Sequence, residues 1–284
     1  MAKPDIPLVL TESKFNRLIG AAMLEHQAAA SKETTRQLLM LRASIAEMIR
    51  RSMPEPPSGG AMVAPVEVPV AGVLEWMRAR SSAAFEAWQQ AFEESRSEYT
   101  SPELRASSLS VASNPGAEGF AVWVRTWLHG RVLDIGCGPH AVPVYLETYP
   151  PERCAGIDPL PPFDPHPFVF REAFCESIPW PDDSFEVVTC ATSLDHVFDL
   201  DRSLDEICRV LVPGGVFLLW VAFIDGAAPY DVDRVTTRLD RFHLFHFDRP
   251  WFYPLVLRRF EILEDWAFDS QSHFICLRPT SGRH

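Results

Sequence analysis

None of the six cysteines of this 284-residue chain stands in a C-x-x-C pair. Cys137, Cys154, Cys175, Cys190, Cys208 and Cys276 fall mostly in apolar, strand-like runs. That argues against zinc ribbons and dithiol redox chemistry, and fits reduced, buried thiols in a cytoplasmic protein. The sequence also lacks any run of about 18 apolar residues, so no membrane span is expected. Its first residues do not show the charged-then-apolar pattern of a secretory signal. Basic charge is scarce: 26 Lys and Arg against 38 Asp and Glu leave a formal net charge of −12. A general nucleic-acid binder would show a basic stripe, so nucleic acid is not an expected partner.

What the chain does have is core-forming material, with 47% apolar and 23% charged residues. From Thr11-Glu12-Ser13, an N-cap signal, helix-favouring residues run to about Ser52. Leu38, Leu41, Ile45 and Met48 recur in steps of three and four. Residues 1–52 therefore read as a helical segment that either packs on its own domain or makes a homo-oligomer. Residues 53–72 are rich in proline and glycine and read as a linker. Residues 73–114 read as a helical and loop accessory region, and 115–284 as the main domain. Within it, Trp123 and Trp127 lie four apart on one helix face and are expected in the core.

From Arg131 the pattern alternates strand and helix. Strands are expected near 131–135, 153–157, 168–171, 185–190, 215–223, 260–268 and 272–278, with helices near 141–149, 201–210 and 249–258. This is an α/β fold: a doubly wound, mostly parallel seven-stranded sheet with an antiparallel last strand, preceded by a helical N-terminal region.

The most informative stretch is Arg131–His140, R-V-L-D-I-G-C-G-P-H. A short buried strand ends at Asp134, and Gly136 and Gly138 make a turn whose backbone can press against a ligand. A helix from about Ala141 would aim its N–H groups at the same place. Asp158 ends the second strand about 20 residues on, the spacing at which a carboxylate accepts from a ribose diol. Each aspartate also has a local reading, as a turn or loop residue. Gly136-x-Gly138-x-x-Ala141 fits a dinucleotide cofactor of an NAD(P)-dependent oxidoreductase as well as other nucleoside ligands.

Four further blocks follow in order: Gly156-Ile157-Asp158, Glu176 to Val188 (E-S-I-P-W-P-D-D-S-F-E-V-V), Leu204 to Leu211 (L-D-E-I-C-R-V-L), and Val212-Pro213-Gly214-Gly215. With the glycine turn, the chain over residues 115–280 resembles the class I S-adenosylmethionine-dependent methyltransferases, in particular the small-molecule group. Dinucleotide dehydrogenases do not show the second and fourth of these four blocks. The resemblance implies S-adenosylmethionine as cofactor. Asp134, Gly136, Cys137 and Gly138 would hold its methionine part, with Asp134 near the amino group and Cys137 contributing backbone. Asp158 would take the ribose, Cys175 and Glu176 would flank the adenine, and Ala191–Leu194, including Ser193 and Leu194, would line the methyl donor. Many relatives carry an Asp two residues before the position of Glu176; here Phe174 stands there, so the adenine contact is expected from backbone and ring packing.

For catalysis the expected groups are His196, as general base past the fourth strand, and Asp195 beside it. The alternative for His196 is packing at a helix start. Asp225–Arg241 is a charged insertion, either a solvated loop or a lid. In the second case Tyr230 and Arg241, together with His246, would meet the substrate. His243 and His246 with a nearby Asp raise a metal site, but two histidines in an aromatic run are weak grounds and none is assigned. Asp248 is expected to cap the helix at Arg249-Pro250. The resulting expectation is a cytoplasmic methyltransferase acting on a small-molecule acceptor, an oxygen of a sugar or glycan precursor. The Asn/Asp-Pro-Pro-Tyr block of amino-methylating DNA enzymes is absent. The alternative is a cofactor-binding scaffold without transfer activity.

Overall fold

A computed structural model describes residues 37, 40, 41, 44, 60–99, 101 and 114–280. Its centre is a seven-stranded sheet in the order β3-β2-β1-β4-β5-β7-β6. The strands are β1 (Val132–Ile135), β2 (Cys154–Asp158), β3 (Val169–Glu172), β4 (Phe185–Ala191), β5 (Leu211–Ala222), β6 (Phe260–Ala267) and β7 (Ser272–Pro279). β1 pairs in parallel with both β2 and β4, and only β7 runs antiparallel to its neighbours. All four β1 residues are buried, as expected of a strand covered on both faces. The strand order reverses between β1 and β4, so the crevice for a ligand opens above their carboxyl ends.

Helices cover both faces: α1 (Val70–Arg80), α2 (Ser82–Tyr99), α3 (Pro115–Val124), α4 (Leu200–Val210) and α5 (Arg249–Val256). α3 starts where Asn114 accepts from Gly116 N at 2.9 Å and Ala117 N at 3.2 Å, with Pro115 preset for a first turn. α4 buries Leu200, Leu204, Ile207 and Val210, one stripe at helical spacing, behind an Asp199 cap. Phe85, Trp88, Phe198, Leu204 and Phe252 pack one face of the sheet. Phe120, Trp123, Tyr145, Trp220 and Phe274 pack the other, so Trp123 is core as expected.

Four expectations change. No α-helix spans 141–149; a single 3-10 turn, Val144–Leu146, stands there. Pro139, Pro143, Pro150 and Pro151 crowd the stretch, removing N–H donors and disfavouring helical geometry before each ring. Residues 60–69, expected within a linker, run as a strap along the domain. Trp180 Nε1 donates to the Val63 carbonyl at 2.9 Å, Val66 N donates to Pro179 O at 3.0 Å, and Met62, Val63 and Val68 pack on the core. Asp248 does not cap α5 with its side chain; Oδ2 accepts from Gly226 N at 2.9 Å instead. The accessory region resolves into α1 and α2, broken at Ser81. Of the N-terminal seam, Leu41 is helical and exposed, while Leu38, Ile45 and Met48 lie outside the described residues.

Candidate active site

The turn after β1 is built as its glycines suggest. Gly136 and Gly138 have φ of 69° and 76°, and Gly136 N donates to Ile157 O at 2.8 Å. A Cβ on Gly136 would collide with the Ser193 side chain, whose hydroxyl donates to Ile135 O at 2.9 Å. The loop is thus locked between β2 and the end of β4.

Asp158 ties this turn to the next loop. Its Oδ2 accepts from Gly138 N at 3.0 Å and its Oδ1 from Leu160 N at 2.8 Å. Each oxygen keeps a lone pair for a second donor. Burial pushes this carboxyl up to about 6, against those two amides.

A crevice partly open to solvent lies beside these residues. It is lined by Ile135, Gly136, Asp158, Leu160, Phe174, Cys175, Glu176, Ser193 and His196 from the carboxyl ends of the strands. Glu176 Oε1 accepts from Phe198 N at 2.6 Å and Asp199 N at 3.0 Å, and burial raises this carboxyl to about 7. The opposite wall is α2, with Trp88, Phe92, Ser95 and Tyr99 facing the crevice. Trp88 stacks on Phe92 with ring centroids 5.0 Å apart, and its Nε1 donates to His196 O at 3.1 Å.

Other expected positions lie off the crevice. Asp134 does not reach it: it is fully buried below the loop, where Oδ1 accepts from Thr189 Oγ1 at 2.6 Å and Oδ2 from Tyr145 OH at 3.0 Å. Burial pushes it up to about 7. It anchors the turn to β4 and to the 3-10 segment, because the short β1 points this side chain into the core. Cys137, Gly138 and Leu194 support the wall without lining it. The Cys137 thiol is buried, which raises its pKa, in keeping with a backbone role.

The three expected substrate residues, Tyr230, Arg241 and His246, do not line the crevice either. Tyr230 donates to Phe198 O and stacks on Phe245 at 4.0 Å. Arg241 pairs with Glu94 and Glu98 on α2, at 2.8 Å to Glu94. His246 Nε2 lies 2.9 Å from Asp240 Oδ2. From the same segment, Phe242 and Leu244 reach the crevice. The insertion is therefore a closing segment strapped to α1 and α2 by Arg241 and by the Arg80–Asp233 pair.

His196 sits where the donor and closing sides meet. It lines the crevice with its side chain 40% exposed, and desolvation by the surrounding groups lowers its pKa below the ordinary imidazole value. Its Nδ1 lies 3.3 Å from Phe242 O, an acceptor, which leaves Nε2 unprotonated when the ring is neutral. The His243 ring is 4.5 Å away, and His246 a further 4.9 Å from His243. Sequence reading missed the α2 wall, Phe242, Leu244 and the Tyr145–Thr189 anchor. For α2 the signal was its Trp and Phe content, which reads equally well as core.

Residues 133–219 match the family model described as "Methyltransferase domain". The chain is 34% identical over 124 residues to the uncharacterized methyltransferase YcgJ of Bacillus subtilis, covering 39% of this chain and 47% of that protein. It is 35% identical over 104 residues to the ubiquinone/menaquinone biosynthesis C-methyltransferase UbiE of Geobacter sulfurreducens, covering 30% and 39%. The chain thus spans about half the length, or less, of these curated relatives. Among solved structures, it is similar to the Burkholderia thailandensis 1,6-didemethyltoxoflavin-N1-methyltransferase. The TM-score is 0.48 at 18% identity, with 80% of this chain and all of that one covered. That enzyme was solved with 1,6-didemethyltoxoflavin and S-adenosylhomocysteine bound.

By the family-model match the stretch 133–219 is similar to a methyltransferase domain, and S-adenosylmethionine is the cofactor expected of it. The residues present fit that cofactor. The crevice offers a carboxylate with free lone pairs for a diol, a glycine cradle with no room for a side chain, and an aromatic wall for a base.

Proposed function

We propose that the protein transfers the methyl group of S-adenosylmethionine to a hydroxyl of a small-molecule acceptor. The observation that carries this is Asp158, held by the Gly138 and Leu160 amides at the carboxyl end of β2 and facing the crevice. When bound, the cofactor supplies an electrophilic methyl on a sulfonium.

The chain's own groups do the rest. Gly136 and Ser193 fix the floor, Asp158 takes the ribose hydroxyls, and Phe174 and Leu160 bracket the adenine. Trp88, Phe92, Phe242 and Leu244 exclude water. Because the positive charge disappears during transfer, alignment of donor and acceptor supplies much of the rate. His196 with Asp195 is the polar group on the acceptor side, placed to hold or help remove the hydroxyl proton.

A sugar acceptor was expected from Tyr230 and Arg241. With both engaged elsewhere, the lining supports an acceptor with an apolar or aromatic body carrying a hydroxyl.

Calorimetry with S-adenosylhomocysteine tests the donor side: one site is expected, weakened at least about tenfold in Asp158→Ala, as loss of hydrogen bonds to a charged group predicts. No binding to the wild-type chain would end this reading. Binding without turnover across a screen of phenolic and alcoholic acceptors would leave a cofactor-binding scaffold.

A further inference from the structure

Asp195, His196, His243, His246 and Asp240 gather at one edge of the crevice from two distant segments. One is the 3-10 turn Leu194–His196 after β4, and the other is the closing segment. Their contacts are of two kinds. Asp240 is satisfied at hydrogen-bond length: its Oδ1 lies 3.0 Å from His243 Nδ1 and its Oδ2 2.9 Å from His246 Nε2. Asp195 is not. Its Oδ1 is buried with no hydrogen-bond partner among the described residues. Two histidine nitrogens stand beside it, His196 Nε2 at 4.0 Å from Oδ1 and His243 Nε2 at 3.8 Å from Oδ2.

Those separations are too long for hydrogen bonds, and one candidate ligand atom from each of Asp195, His196 and His243 lies within 4.8 Å of the other two, near enough for a small inward shift to put all three on one metal ion. Metal–ligand bonds of about 2.0–2.2 Å at tetrahedral angles put ligand atoms about 3.4 Å apart. Both imidazoles are also prepared for ligation through Nε2. The Phe242 carbonyl accepts from Nδ1–H of His196, and Asp240 accepts from Nδ1–H of His243. A carboxylate or carbonyl on the far nitrogen of a ligating histidine fixes the tautomer and strengthens the ligand. A cation would also satisfy the otherwise unpartnered oxygen of Asp195.

We propose that Asp195, His196 and His243 bind one divalent transition-metal ion of the zinc class, with Asp240 and the Phe242 carbonyl orienting the two histidines. Two histidines and one carboxylate leave at least one position open, and His196 lines the crevice, so that position faces the acceptor side. An oxygen of the acceptor is the ligand it would take; with the ion in place His196 Nε2 is a ligand, so its proton-holding role belongs to the metal-free protein. Metal binding as such stands apart from methyl transfer; the assignment of the open position to the acceptor rests on the proposed function.

The test uses the untagged full-length protein, stripped with a chelator and titrated with Co²⁺, then Zn²⁺ in competition. One equivalent of Co²⁺ with visible d–d bands and no near-ultraviolet thiolate charge-transfer band is expected. Asp195→Asn and His243→Gln should abolish it, Asp240→Asn should weaken it about 10–100-fold, and His246→Asn should leave it in place. Failure of the wild-type protein to take up one equivalent overturns the proposal. So does uptake lost in His246→Asn yet kept in Asp195→Asn, which would move the ion to Asp240, His243 and His246. A thiolate band overturns it too. Circular dichroism checks that each variant is folded. S-adenosylhomocysteine calorimetry on the same samples reads the cofactor site separately: cobalt bound without it sinks the methyl-transfer reading alone, and the converse sinks the metal site alone.

Discussion

On the proposed function, Asp158 should couple cofactor binding to pH. Its carboxyl sits at about 6 without ligand because burial outweighs its two amide donors. Ribose hydroxyls would donate to the ionised form and lower that value, so the complex holds fewer protons than the free protein. Affinity for S-adenosylhomocysteine is therefore highest above about pH 6 and falls about tenfold per unit as pH drops further. Calorimetry from pH 5 to 8 should show this slope, and Asp158→Asn should bind weakly without it; an equal slope in the variant would remove Asp158 from the ribose. At Gly136 the constraint is steric. Alanine there meets Ser193 and a φ of 69°, and should cost about 1–3 kcal/mol in urea unfolding. Adding Ser193→Gly, which removes both the hydroxyl and the Cβ that the new methyl would meet, should restore only the steric part. These two positions were legible in the sequence because glycine spacing and an aspartate at a strand end each carry one geometric meaning. Asp134 was not. The same residue type at the end of β1 faces Thr189 and Tyr145, and only the packing of β4 and the 3-10 turn beneath it decides that.

At the scale of elements, the strands were legible to within a few residues, since parallel strands buried on both faces read as short apolar runs. The helix expected over 141–149 was not, because strand–helix alternation is a pattern of the fold class, and Pro143 inside the stretch with Pro139, Pro150 and Pro151 flanking it overrides that pattern locally. α2 is the reverse case: its helix was visible, its duty was not. Trp88 is 5% exposed, stacks on Phe92, meets Phe174 edge to face, and holds the turn that carries His196. Trp88→Ala should cost about 3–5 kcal/mol and weaken cofactor binding as well. Trp88→Phe keeps an aromatic ring but loses the Nε1–H bond to His196 O, and should cost about 1 kcal/mol. If S-adenosylhomocysteine affinity is unmoved in folded Trp88→Ala, α2 is a packing element and not a wall of the site.

At the scale of the whole molecule, the boundary between domain and N-terminal segment falls earlier than composition suggested. Proline density made 53–72 look like one linker. Yet residues 62–68 carry apolar side chains that pack against the core, and two hydrogen bonds fix them to Pro179 and Trp180. A chain can be proline-rich and still be ordered, because proline needs no backbone donor and an extended strap uses few. Removing residues 1–59 keeps this strap and should therefore lower the unfolding midpoint by less than removing 1–70. Removing 1–70 exposes Trp180 Nε1 and the apolar surface beneath Met62 and Val68, and should lower the midpoint by several degrees. The same pair of truncations separates stability from assembly. The 1–52 segment is proposed to self-associate, and Leu41 is helical and 57% exposed, with Met40 beside it at 48%. Light scattering should then give a larger mass per particle for the full chain than for the chain lacking 1–59. Equal mass per particle would remove self-association and leave Leu41 and Met40 to pack on their own domain.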